Sequence, residues 1–189
     1  MIYGDEEIIK RRVAAQNAKR RSITNDVIIE GVLHRFGERG FPPYFSMVLP
    51  AAFEEMPKAY AEMKHPYENR PQTILSVPDT TVGVNFNLME PQPLNPDSRL
   101  MEYKAVIKRL HPGYAFFSES AEETESGLKV CVFDYQGAAV DGDIYYMNFF
   151  FDLEEGEMFG GFNCPAEQRD GWESLVRQMI MTIEPWPRG

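Results

Sequence analysis

The sequence predicts an α/β sandwich of the α+β kind, a mainly antiparallel sheet with helices on both faces. Three observations predict it. Four extended segments, 114–123, 128–136, 143–153 and 157–164, succeed one another with short Gly-containing turns between them, the pattern of an antiparallel meander. Two stretches, 97–110 and 166–183, carry apolar residues at helical spacing. Hydrophobic residues make up 43% of the 189 and aromatics 13%, enough to fill a core on both sides of one sheet.

The elements follow in order. Residues 5–21 form an amphipathic helix with Ile8, Ile9, Val13 and Ala14 on one side; the stripe is thin, so this helix needs something to dock on. Val27 to Phe36 is rich in β-branched residues and reads as one strand, ended by a turn at Gly37-Glu38-Arg39-Gly40. Phe45–Leu49 is a short strand and 57–63 a short helix stopped by His65-Pro66. Residues 73–77 and 82–88 are strands. In the second, Val82, Val84, Phe86 and Leu88 alternate with Gly83, Asn85 and Asn87, a polar face poorly suited to burial and open to a partner. The helix 97–110, with Leu100, Tyr103, Ile107 and Leu110 at helical spacing, ends at His111-Pro112-Gly113. Along 143–153 both alternating series are mostly apolar, so this strand is central and covered on both faces. In the terminal helix, Trp172, Leu175, Val176, Met179, Ile180 and Ile183 make a continuous inward stripe.

Charge divides the chain. Residues 1–24 hold six basic groups, Lys10, Arg11, Arg12, Lys19, Arg20 and Arg21, against three acidic ones, a net of +3. The remaining 13 basic and 26 acidic residues give −13. So acidic a body lacks the footprint that phosphate contact needs, which argues against nucleic-acid binding through its surface. The basic residues of the extension are the candidate partner contacts. Docked on the acidic body they are neutralised; free, they suit RNA or an anionic membrane face. No window approaches the roughly 20 apolar residues of a membrane span, and no signal-peptide pattern opens the chain, so the expected compartment is the cytoplasm.

Reacting groups are sparse. His34, His65 and His111 stand in no metal spacing; His65 and His111 precede proline at helix ends, where they cap, and His34 is expected at the surface. Cys131 sits in an apolar strand and Cys164 just before the terminal helix, where a thiol can be activated if a base is near. Two reduced thiols are the simplest reading, and one disulfide between them stays open. Asp141-Gly142-Asp143 is a turn, not a calcium loop, and Gly160-Gly161 marks a bulge or a close backbone approach. No nucleophile elbow, phosphate loop or dinucleotide fingerprint occurs, so no cofactor or catalytic residue is assigned.

The short strand leading to "LP", "RPQTILSV" with "VGVNFNL", "LHPGY", "DIYYMNFFFDLEEGEMFGGFNCP" and the Trp-bearing helix ending "MTIEPW" together resemble the PsbP-like superfamily, over roughly residues 27–186. That superfamily also contains the Ran-binding Mog proteins, and within it the chain looks like a cytosolic branch found in bacteria. The resemblance implies the fold above, with 25–189 a single domain; residues 1–24, a basic helical extension, lie outside the family's usual pattern. It also implies a binding or accessory role, with no shared catalytic set and no functional residue to carry over. The expected function is a non-catalytic protein-binding adaptor or small chaperone, monomer or homodimer, with a protein partner. The alternatives are nucleic-acid or anionic-membrane binding through the basic helix, and a Cys-dependent hydrolase.

Overall fold

The computed structural model describes residues 21–66, 70–139 and 142–186. In chain order the strands are β1 (Val27–Ile29), β2 (Val32–His34), β3 (Phe36–Phe41), β4 (Phe45–Pro50), β5 (Glu54–Glu55), β6 (Thr73–Ser76), β7 (Gly83–Met89), β8 (Ala115–Glu123), β9 (Lys129–Ala139), β10 (Gly142–Leu153), β11 (Gly156–Pro165) and β12 (Glu184–Pro185). The α-helices are α1 (Lys58–Lys64), α2 (Pro96–Leu110) and α3 (Arg169–Met181), the last entered through a 3-10 turn at Ala166–Gln168. The expected helix over 5–21 lies outside the described residues, except for Arg21.

Seven strands form one antiparallel sheet in the order β5-β6-β7-β11-β10-β9-β8. β10 is interior, as its two apolar series require. Tyr145, Met147, Phe149 and Phe151 face one cluster, shared with Trp172, Leu175, Val176, Met179 and Ile180 of α3. Phe150 faces a second cluster with Leu100 of α2 and Phe133. A three-stranded sheet, β12-β4-β3, closes the α3 side, with Phe45, Met47 and Leu49 entering the first cluster. The sheet is thus sandwiched between helices, as the sequence predicts. Trp172 is fully buried.

Local chemistry sets the joints. Asn95 caps α2, its Oδ1 accepting from the Ser98 N–H at 2.9 Å, ahead of Pro96 in the first turn. His65 and His111 both occupy C-cap positions, their backbone N–H groups donating to Ala61 and Ile107. Gly160 sits opposite Phe149 in unbroken register, and a Cβ there would lie 2.3 Å from the Phe149 ring, so it marks a close approach and not a bulge. The bulge is at Phe117, where β8 slips against β9.

Three expectations need correction. Val27 to Phe36 is not one strand: Glu30 and Gly31, both at positive φ, fold it into a β1–β2 hairpin. Gly37–Gly40 is not a turn but the body of β3, paired with β4. His34 is buried, not exposed, with its ring edge-on to Trp172 at 4.7 Å, and burial lowers its pKa.

Candidate functional site

On α3, the stripe beside the buried one recurs at Asp170, Glu173, Ser174, Arg177, Gln178 and Met181, and it forms one wall of a groove of about 1000 Å³. Phe36 and Gly37 of β3 and Val48 of β4 form the opposite wall. The Val48 N–H donates to Thr182 Oγ1 at 2.9 Å, and that hydroxyl donates to the Met179 carbonyl at 2.7 Å, fixing the walls together. Glu125 closes one end, its N–H donating to the Met181 carbonyl at 3.1 Å. Residues 22–24 form the rim. The Gln178 amide holds them, donating to the Arg21 carbonyl at 2.9 Å and accepting from the Ile23 N–H at 3.3 Å. Ile23, Phe36, Val48 and Met181 give the groove apolar surface; Glu125, Asp170 and Glu173 give it carboxylates.

Arg177 also lines the groove, yet its charge is engaged by β8. Its guanidinium donates to Ser118 Oγ at 2.6 Å and to Ser120 Oγ at 3.4 Å, and lies 3.5 Å from Glu122 and 3.9 Å from Asp134. Asp134 is fully buried and well satisfied. It accepts from the Ser118 N–H at 2.9 Å, from the Ser118 hydroxyl and from Tyr145 OH at 2.8 Å, with Arg169 at 3.8 Å. Arg169 in turn stacks 3.6 Å over the bulged Phe117 ring. This cluster bolts α3 to the sheet edge; a buried, fully paired carboxylate is a structural group.

A second buried charge cluster holds α2. Arg99 makes a bidentate pair with Asp152 at 2.7 and 2.8 Å and also contacts Glu157, which accepts from Tyr103 OH as well. Arg99 and Glu157 are buried, and the guanidinium lies over the Phe150 ring at 5.2 Å. Burial pushes the Glu157 carboxyl up, against the pull of Tyr103 and Arg99. Nothing in the sequence pattern separates Arg99 from an ordinary solvated helix charge.

Of the basic candidates, Lys10, Arg11, Arg12, Lys19 and Arg20 lie outside the described residues. Arg21 lies along the first turn of α3, its Nη1 donating to the Gly171 carbonyl at 3.3 Å. Cys164 is fully buried, and burial, with Glu167 nearby, pushes its thiol far up, away from nucleophilic use. Cys131 packs in the α2 cluster and Cys164 in the α3 cluster, on opposite faces of the sheet, and both are free thiols. His111 stacks on Tyr114 at 4.5 Å. Among the described residues, no group of three or more His, Cys, Asp or Glu could hold a metal, and no helix is long and apolar enough to cross a membrane. Asn85 and Asn87 of β7 are half-buried, and Gly83 is buried.

No family model matches the sequence, and no curated protein is significantly similar to it. Solved structures do resemble it. The cyanobacterial PsbP (CyanoP) of Synechocystis superimposes with a TM-score of 0.57 at 7% identity, over 80% of this chain and 92% of that one. The Ran-binding protein Mog1p of Saccharomyces cerevisiae gives 0.52 at 10% identity, over 80% and 95%. PA94 of Pseudomonas aeruginosa, a protein of unknown function, gives 0.49 at 11%, over 81% and 99%. The seven-stranded sheet between α2 and α3 is accordingly the PsbP-like fold, the one that CyanoP and Mog1p share.

Proposed function

We propose that the chain is a non-catalytic, protein-binding accessory factor, an adaptor or small chaperone of the cytoplasm, and that its partner binds in the groove beside α3. The observation that carries this reading is the groove itself: apolar walls from α3, β3 and β4 with Glu125, Asp170 and Glu173 around them. An apolar trough edged with carboxylates fits a basic amphipathic segment of polypeptide, whose apolar face fills the walls while its cations meet the acids. The deeply buried thiol of Cys164 speaks against the hydrolase alternative. Mog1p, which shares the fold, is a Ran-binding protein, and that analogy of scaffold lends support without assigning a partner.

The test is site-specific capture. A photo-cross-linking residue at Ser174 should trap a defined protein in the native cell. Once purified, that protein should bind wild type with a Kd near or below about 10 μM and bind D170K/E173K at least tenfold more weakly, a free-energy difference of about 1.4 kcal/mol. Recovery of RNA or lipid in place of protein, or equal binding by the charge-reversed variant, contradicts the proposal.

A further inference from the structure

We infer that the groove beside α3 is occupied by the chain's own basic N-terminal segment, residues 1–20, which a partner must displace. The inference rests on the reading of the groove as a polypeptide site and adds its regulation.

Three observations converge. First, the described chain begins at the groove. Gln178 grips the backbone on both sides of Ser22, through the Arg21 carbonyl and the Ile23 N–H, and Arg21 reaches the Gly171 carbonyl. Arg21, the first described residue, is therefore held beside the groove, and the preceding segment is covalently tethered to it. Second, the charges are complementary. Lys19 and Arg20 directly precede the anchor and Lys10, Arg11 and Arg12 lie farther back, while Glu125, Asp170 and Glu173 line the groove. Arg177, the basic residue of the lining, is engaged by Ser118, Glu122 and Asp134, while Glu173 pairs with Arg169 at 3.1 Å, so the complementarity rests chiefly on Glu125 and Asp170. Third, the lengths match. Asp170 and Gln178 are eight residues apart on α3, about 12 Å at the helical rise. The eleven residues from Arg21 back to Lys10 cover about 16 Å even if wholly helical, so both basic clusters reach the acids. Ile8, Ile9 and Val13 supply the apolar side that the walls require.

Tethering makes this occupancy effective. A short linker presents the segment at an effective concentration in the millimolar range, so even a weak contact fills the groove, and an outside segment of similar chemistry competes at a disadvantage.

The experiment uses the full chain and one probe, a synthetic peptide of residues 5–21. Binding is measured to wild type and to a full-length variant with K10E, R11E, R12E, K19E and R20E. The variant should bind the peptide at least tenfold more tightly than wild type, and D170K/E173K in the variant should abolish that binding. Carbodiimide cross-linking of wild type should join Lys10 or Lys19 to Glu125, Asp170 or Glu173 within one chain, shown by mixing isotopically light and heavy protein. Equal peptide binding by wild type and variant, no binding by either, or cross-links only between light and heavy copies overturns the inference. The two readings fail separately. Intramolecular cross-links with no partner captured at Ser174 leave the strap and remove the accessory role. Capture at Ser174 with no such cross-links does the reverse.

Discussion

The two faces of the large sheet bury their helices by different means. Under α3 the seal is almost wholly apolar, with Trp172, Leu175, Val176, Met179 and Ile180 all at or near zero exposure, and the charges, Asp134 aside, stand at the margins. Under α2 the seal includes the buried Arg99–Glu157 contact, while Met101, Val106 and Leu110 of the same helix face outward. Charge that is buried and paired acts as a structural pin; charge at the edge of an apolar trough is placed to meet a partner. By that criterion Asp134 beneath α3 and the Arg99–Glu157 contact beneath α2 are braces, and the groove margin beside α3 carries the site.

Trp172→Ala should break the apolar seal and give the largest loss of stability, about 4 kcal/mol, because the cavity adds to the lost transfer energy. The denaturant midpoint measures it. Arg99→Ala should cost slightly less, about 3 kcal/mol, by leaving Glu157 buried without its cation. R99M/E157L should recover at least half of that loss, since it removes both charges; no recovery would mean that the pair does more than pin α2.

A pH series sharpens the contrast. Burial depresses His34, which packs on Trp172, below the ordinary 6.5. As pH falls through 6.5 the unfolded chain takes up a proton that the folded chain still refuses, so stability is full above that range and declines below it. His65 is depressed likewise, by burial and by Lys64 and Arg70. H34F keeps a ring on Trp172 and should flatten the decline between pH 7 and 5.5, leaving the share due to His65. Glu157, raised from 4.5 by burial, contributes in the opposite sense, its share of stability falling as pH rises through its folded value. The smallest effect on stability should come from D170K/E173K, about 1 kcal/mol, because it reverses a charge in the first turn of α3 and breaks the partly exposed Arg169–Glu173 pair without touching the apolar core.

Much of this was legible in the chain. Extended segments separated by Gly-containing turns identified the meander, and the Trp172 stripe identified α3 and its buried face. The β1–β2 hairpin was not legible, because a Glu at positive φ, such as Glu30, carries no sequence signal. Gly40 looked like a turn residue, but it is a strand glycine on which Trp186 packs: a Cβ there would lie 2.4 Å from that ring. His34 was misplaced because its partner, Trp172, is far along the sequence. Leu110, the last residue of the helical stripe of 97–110, is exposed at the end of α2. The groove draws Ile23, Phe36, Val48, Glu125 and Met181 from five separate places, so no local pattern announces it. Only its α3 wall, one step around the helix from the buried stripe, could have been foreseen.

The most direct measurement is differential hydrogen exchange between full-length wild type and the full-length variant with K10E, R11E, R12E, K19E and R20E. If the α3 groove is the polypeptide site and the basic segment fills it, the variant should lose protection in peptides covering 22–37 and 173–182, with 97–110 unchanged. A difference confined to α2, or none anywhere, would contradict the account.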